Sequence, residues 1–150
     1  MNFRDANIDD LPTVVELLAD DPLGATREEF ALPLPEAYMT AFNEILEQRG
    51  NRLIVGVDNN ETVRACLQLT LIPAIARRGM KRALIEGVRV HSDLRGSNIG
   101  TEIFRYAIQE AQDAGCGLVQ LTTDKTRPDA HRFYENLGFE ASHIGMKLIL

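Results

Sequence analysis

Cysteine and positive charge are both scarce in this chain, and long apolar runs are missing altogether. Two cysteines in 150 residues, Cys66 and Cys116, make neither a disulfide framework nor a metal pair. Both lie in apolar stretches and read as buried thiols of a reducing cytosol. Sixteen Lys and Arg stand against twenty-two Asp and Glu, a net charge of -6. A nucleic-acid partner usually demands a basic surface, so none is expected; a cationic small substrate suits this balance better. No apolar run approaches the roughly 20 residues that span a bilayer, so no membrane partner is expected either. The opening MNFRDANIDD is acidic and has no apolar signal core, which points away from secretion and toward the cytoplasm. The Asn60-Glu61-Thr62 sequon is set aside on the same ground. His91, His131 and His143 show no metal-ligand spacing, so no metal is expected; His131 and Glu135 stand four apart and can simply pair. With no repeat, low-complexity tract or linker, residues 1–150 are expected to form a single domain around one core.

The apolar periodicities sketch the elements. NIDDLPTVVELLAD has Asp9 placed as an N-cap and Leu11, Val14, Val15 and Leu18 at helical spacing. Pro22, Gly24, Pro33 and Pro35 break the next stretch into an irregular connection. Tyr38, Ala41, Phe42 and Ile45 share one face of a helix that ends by Gly50. RLIVGVD and TVRACLQLTLIP flank Asn59-Asn60; asparagine tolerates φ > 0, so a hairpin is predicted. IARRGMKR reads as a basic exposed loop. ALIEGVRV is a strand, with Leu84, Glu86, Val88 and Val90 expected on one face. Ile99, Ile103, Ala107 and Ala111 repeat along a helix that stops at Gly115, and Ala130, Phe133, Tyr134 and Leu137 along another that stops at Gly138. GLVQLTT and HIGMKLIL read as strands. Helices first, then a strand meander, then β-α-β-α-β, indicate an α+β (mixed α/β) domain with one central sheet.

The segment VHSDLRGSNIG sits between a strand and a helix. First-turn N–H groups have no partners within a helix, and the helix dipole is positive there. A phosphate can take those bonds if side chains do not shield them. Gly96 and Gly100 remove Cβ atoms, Ser97 adds a hydroxyl, Asn98 can turn left-handed, and Arg95 brings a planar permanent cation. These pieces suit a diphosphate. They are neither a Walker loop nor a dinucleotide fingerprint, and taken alone they equally describe an ordinary helix start with a glycine turn.

Position changes that balance. IEGVRVHSDLRGSNIG resembles the acyl-CoA signature R/Q-x-x-G-x-G/A of the GNAT superfamily of N-acetyltransferases, and RPDAHRFYENLGF resembles its second signature. The resemblance covers about residues 84–146. It departs from the pattern at Asn98, which stands where the family usually has glycine; asparagine is the next best residue at φ > 0. AHRFY and Ser142-His143 are also similar to members that acetylate aminoalkylphosphonates. The resemblance implies a GNAT-like central, mostly antiparallel mixed sheet flanked by helices and splayed between its central strands, with acetyl-CoA as cosubstrate. It implies that the backbone of Val88, Arg89 and Val90 receives the pantetheine arm like an added strand, and that Arg95, Gly96, Ser97, Asn98, Ile99, Gly100 and Thr101 hold the diphosphate. Phe133 belongs to the same cofactor-binding set. Arg127 bonds the cofactor or is a helix-start surface charge; Arg132 meets the coenzyme's 3′-phosphate or is solvated.

Acetyl transfer to an amine requires a deprotonated amine, a polarised thioester, aligned reactants and a proton for the leaving thiolate. Glu86 is the candidate base, since burial on an apolar strand face would raise its pKa; its alternative is a solvent-bordering glutamate that binds the substrate cation. Tyr134 is the candidate acid, at the place where the resemblance puts a tyrosine near the CoA sulfur; its alternative is a core aromatic. Neither cysteine is placed as a ping-pong nucleophile, so direct transfer in a ternary complex is expected. The acceptor is expected to be the primary amine of a small molecule or amino acid. A protein N-terminus or lysine, a non-catalytic acyl-CoA module and an ATP-binding protein are the rival readings. The resemblance leaves a homodimer open.

Overall fold

A computed structural model describes residues 1–21 and 24–150; Pro22, one of the breaks marked by the sequence, lies outside them. The chain opens with a strand that the sequence reading did not mark, β1 (Asn2–Asp5). A 3-10 turn (Ile8–Asp10) and α1 (Leu11–Ala19) follow, then a 3-10 turn at Gly24–Thr26 and α2 (Glu36–Glu47). The meander is β2 (Asn51–Val57), β3 (Val63–Ile72) and β4 (Arg82–Val90), with a single turn α3 (Ala76–Gly79) between β3 and β4. Next come α4 (Ile99–Asp113), β5 (Leu118–Gln120) and α5 (Pro128–Asn136). The strands form one sheet in the order β1-β2-β3-β4-β5. Its first four strands are antiparallel and β4–β5 is parallel. This is the α+β domain with one central sheet expected from the element order, and the mostly antiparallel, mixed sheet that the resemblance implies.

Each face of the sheet carries its own core. Ile54, Leu67, Leu69, Ala83 and Ile85 pack with Ile103, Phe104, Ala107 and Ala111 of α4. Val55, Val57 and Cys66 pack with Val14, Val15 and Leu17 of α1 and Phe42 of α2. Adjacent strand residues such as Ile54 and Val55, or Cys66 and Leu67, serve opposite cores, because successive strand side chains point to opposite faces. Covering both faces explains why β2 and β3 read as near-continuous apolar runs rather than alternating ones.

Several local expectations are corrected. The N-terminal cap belongs to Asn7, not Asp9. Asn7 Oδ1 accepts the Asp9 N–H (2.8 Å), and buried Asp10 returns a bond from the Asn7 N–H (2.8 Å). This reciprocal capping box satisfies orphan donors that a lone Asp9 would have left open. The hairpin after β2 turns left-handed at Glu61 (φ 59), not at either asparagine. There the Asp58 carboxylate takes the N–H groups of Asn60 and Thr62, and that fixes the turn. His131 pairs with the Asp124 carbonyl (2.9 Å), not with Glu135. The segment HIGMKLIL is no strand: residues 140–150 are all exposed and outside the sheet. Its alternation is a side-chain pattern, and a strand also needs a bonded neighbour, which no described residue supplies here. Among the described residues no helix is long and apolar enough to cross a membrane, and no cluster of His, Cys, Asp and Glu could hold a metal.

Candidate active site

The site is organised by a fault in β4. Glu86 pairs with Gln68 and Arg89 with Cys66, so Gly87 and Val88 together oppose the single residue Leu67. Gly87 takes φ 60. An extra residue in one strand is a β-bulge, and a glycine in the left-handed region accommodates it without a Cβ clash. The bulge shifts the pleat by one residue. Before it, Ala83 and Ile85 face α4; after it, Val88 and Val90 do. Leu84, Glu86 and Arg89 are left on the α1 face. The expected grouping of Leu84, Glu86, Val88 and Val90 is therefore wrong, because a strict period of two cannot see an inserted residue. Glu86 is exposed, not buried on an apolar face. An interior strand glycine was the available signal for the bulge.

Beyond the bulge β4 has no strand on one side among the described residues. Its pairing with β5 covers only Arg82, Ala83 and Leu84 against Leu118, Val119 and Gln120. The Val88 carbonyl accepts from Arg89 Nη1 (2.8 Å) and the Val90 carbonyl from Arg95 Nε (3.4 Å). Guanidinium groups thus meet carbonyls that have no strand beside them. This is the splay of the sheet, with β4 as an edge open to an extended ligand.

The loop after β4 ends at the N-terminus of the 15-residue α4. Gly96 has φ 83, and a Cβ built there would meet nothing within 4 Å. Asn98 is left-handed (φ 42, ψ −4) as expected, and its side chain makes no cap bond. Asparagine at this place ordinarily caps a helix; here its backbone turn leaves the first-turn N–H groups of Ile99, Gly100 and Thr101 without a side-chain acceptor. That is the cradle a diphosphate requires. Ser97 does not add to it, since its hydroxyl donates to the Leu94 carbonyl. Arg95 is likewise engaged: Nη2 pairs with the Asp20 carboxylate at 2.9 Å and also donates to the Asp20 carbonyl. Gly100 is where α5 seats, for a Cβ there would stand 3.4 Å from the Phe133 ring.

The adjacent acidic pair Asp20 and Asp21 went unread in the sequence. Asp21 is 8% exposed at its side chain and pairs with Arg89 Nη2 (3.4 Å) and Arg127 Nη1 (3.5 Å). It joins the free stretch of β4 to the start of α5, a pairing across more than a hundred residues that no local pattern discloses. Tyr134 stands beside this cluster. Burial raises its phenol above the usual value, and the Arg127 and Arg89 cations draw it part of the way back. Its ring is in edge contact with Phe104 (5.5 Å) and Phe133 (5.5 Å), which hold it in place. Arg132 is apart from all this, on the exposed side of α5 and paired with Asp129. The thiols are poor nucleophiles: burial pushes Cys66 up to about 12 against the pull of Arg89, and raises Cys116 against that of Lys81.

Comparison with known proteins agrees with this geometry. A transcriptional regulator from Bacillus halodurans C-125 is 48% identical across 99% of both chains, with a TM-score of 0.96. A structure from Agrobacterium tumefaciens str. C58, named for acetyltransferase activity, is 30% identical across 100% of both, with a TM-score of 0.84. The aminoalkylphosphonate N-acetyltransferase of Salmonella typhimurium (strain LT2) is 41% identical over 59 residues, which are 39% of this chain and 38% of that protein's length. Residues 15–139 match the Acetyltransferase (GNAT) family. A bulged and splayed β4, an uncapped α4 behind it and this match leave one assignment: the chain belongs to the GNAT family of N-acetyltransferases and is an acyltransferase.

Proposed function

We propose that residues 1–150 act as one domain that transfers acetyl from acetyl-CoA to the primary amine of a small molecule, directly, in a ternary complex in the cytoplasm. The observation that carries this reading is the uncapped N-terminus of α4, aligned with a strand edge that has lost its neighbour. The amides of Ile99, Gly100 and Thr101 take the diphosphate. Gly96 leaves the approach clear, Gly100 lets α5 seat close beside the cradle, and Val88, Arg89 and Val90 bond the extended arm. Arg95 exchanges its Asp20 partner for the diphosphate. Phe133 seats α5 so that Tyr134 reaches the thioester sulfur and donates its proton to the departing thiolate. A raised phenol pKa keeps that proton in place at neutral pH. Arg127 acts on Tyr134 through its charge. Arg132, the outermost of the set, serves the 3′-phosphate. Exposed Glu86 collects the ammonium and takes its proton directly or through water. With both thiols pushed up, an acyl-cysteine is disfavoured and direct transfer follows.

An aminoalkylphosphonate-like acceptor, a small amine with an anionic tail, is the first to try, given the Salmonella relative. The name of the Bacillus relative raises a reading as a transcriptional regulator; the net charge of -6 argues against a direct nucleic-acid contact. The test is thiol release from acetyl-CoA over a panel of small amines, amino acids and peptides. Turnover on a small amine supports the reading, and turnover on peptides alone replaces it with protein acetylation. Stabilisation against heat by acetyl-CoA with no release on any amine replaces it with a binding module. Stabilisation by ATP but not by acetyl-CoA overturns the coenzyme assignment.

A further inference from the structure

The half-buried arginines are Arg4, Arg52, Arg64, Arg82 and Arg89. All but Arg82 have a carboxylate partner. Arg82 has none among the described residues, and its Nε is shut off from solvent without an acceptor. Arg89 Nε is also unbonded, but the Arg89 guanidinium has Asp21. A half-buried cation without a counter-ion costs folding stability.

The surroundings of Arg82 indicate what it meets. Ala83 and Ile85 face α4, so alternation puts Arg82, Leu84 and Glu86 on the α1 face. There β3 and β5 extend each position into a row across the sheet. Ile72 and Leu118 flank Arg82, Thr70 and Gln120 flank Leu84, and Gln68 stands opposite Glu86. Ile72, Leu84 and Leu118 are half-buried and belong to neither core, so they form an apolar floor of their own. At the Glu86 end, Asn51 Oδ1 accepts from Gln68 Nε2 (3.0 Å) and from Thr70 Oγ1 (3.1 Å). That bond fixes the Gln68 amide and leaves its Oε1 without a donor among the described residues. Glu86 likewise has no ion pair among them. One end of the floor thus offers oxygens suited to an ammonium, and the other an unpaired guanidinium suited to an oxyanion.

We propose that Arg82 is an acceptor-binding residue: it takes the oxyanion of an acceptor whose amine lies at Glu86 and Gln68 and whose short alkyl chain crosses Leu84. This rests on the acetyl-transfer reading above and narrows its acceptor from any small amine to an aminoalkyl oxyanion. Arg82 and Glu86 are four residues apart, about 13 Å between Cα atoms, a gap that two long side chains narrow to a few carbon atoms. A diamine would set a second cation against Arg82, and a neutral amine would leave the guanidinium unpaired, so both are selected against.

The test is kcat/KM on matched amines: aminopropylphosphonate, γ-aminobutyrate and n-butylamine. They share the amine and the spacer and end in a phosphonate, a carboxylate or a methyl. The parent should prefer at least one of the anions over n-butylamine by about 10-fold or more, and Arg82→Met should cut that preference by about 10- to 100-fold, the scale of a hydrogen bond to a charged group. Arg82→Lys should recover part of it. The better of the two anions identifies the tail. Arg82→Met should melt at or above the parent temperature, because it removes an unpaired charge from beside an apolar floor. A clearly lower melting temperature makes Arg82 a structural residue and overturns the proposal. Equal parent rates on all the amines overturn it, as does a preference that survives in folded Arg82→Met. If no amine releases thiol, the acetyl-transfer reading fails on its own, and calorimetry with the two anionic amines decides on Arg82 separately. Binding by the parent at least ~10-fold tighter than by Arg82→Met upholds the anion site, and equal binding or none overturns it.

Discussion

The two faces of the sheet bury apolar residues equally well and end differently. On the α4 face the core runs without a break from Ile103 and Phe104 into the aromatic ring contacts of Phe133, Tyr134 and Phe139. On the α1 face the core gives way, beside β4, to the charged cluster of Asp20, Asp21, Arg89, Arg95 and Arg127. A close-packed apolar wall has one low-energy arrangement, whereas ion pairs whose arginines are 21% to 50% exposed can exchange partners with a ligand or water. The difference teaches a division of labour. The α4 face fixes the loop at residues 96–100 and Tyr134, and the α1 face supplies ion pairs that a ligand could exchange. The sharpest way to break the comparison is to cut the wall. Phe104 is fully buried and touches three other rings, so Phe104→Ala should cost about 3–5 kcal/mol of unfolding free energy. Loss of acetyl-CoA binding should track unfolding in chemical denaturation. A cost under ~1 kcal/mol would mean that the wall is not the rigid element.

Tyr134 lies where the two faces meet. Tyr134→Phe keeps the ring contacts and removes the proton, so kcat should fall by about 10²-fold or more while acetyl-CoA affinity stays nearly constant. Unchanged turnover removes Tyr134 from proton transfer. Asp21→Asn tests the other side of the junction. It leaves Arg89 and Arg127 facing each other without a shared anion, at a cost of about 1–2 kcal/mol, below that of a fully buried pair because both arginines are partly exposed. Both cations already draw the Tyr134 phenol down against burial. With Asp21 neutral that pull goes unopposed, so tyrosinate absorbance should appear at lower pH than in the parent. An unmoved titration would show that Asp21 does not act on Tyr134.

What the sequence disclosed follows the same division. The α4 face was legible because its determinants are local: Ile99, Ile103, Ala107 and Ala111 recur with the helix, and Gly96, Asn98 and Gly100 sit within five residues at its start. Asn98 was expected to turn left-handed and does. The α1 face was not legible, because its determinants are pairings of distant residues. Nothing near Asp21 marks Arg127 as its partner, and nothing near Asp20 marks Arg95. Glu86 was assigned to the wrong face for a different reason: the glycine beside it inserts a residue into the strand, and alternation cannot be counted through a bulge. The closing segment failed in a third way. Its apolar alternation is present, but pairing depends on what lies beside it.

A smaller effect separates the faces by pH. Burial pushes the Asp10 carboxyl up. The hydrogen bond from Arg4 (2.6 Å), the Asn7 N–H and the Arg4 charge outweigh this, and the group settles below its ordinary value. A carboxyl depressed in the folded state stabilises the fold above its unfolded pKa of ~3.9 and loses that contribution as pH falls through the folded value. Asp10→Asn should therefore cost about 1 kcal/mol near neutrality, the scale of a helix cap. The difference from the parent should close as pH falls below ~3.9. A gap that persists in stronger acid would assign the cost to packing and not to charge.

The smallest expected effect is at Asn98, where this chain departs from the usual glycine of its family. Its φ of 42 lies in the left-handed region, which asparagine tolerates better than any other residue with a Cβ. Asn98→Gly relieves a small strain in the folded loop and enlarges the unfolded ensemble, and the two terms oppose each other. The net change in stability should stay within about 0.5 kcal/mol, and acetyl-CoA affinity within about twofold, because the asparagine side chain caps nothing. Asn98→Val keeps the Cβ and adds branching, so it must pay the left-handed penalty of about 1–2 kcal/mol in full or release the turn and swing the amides of Ile99 and Gly100 away. If glycine and valine weaken acetyl-CoA binding equally in calorimetry, the asparagine side chain itself contacts the coenzyme. If only valine does, the backbone turn is what position 98 supplies.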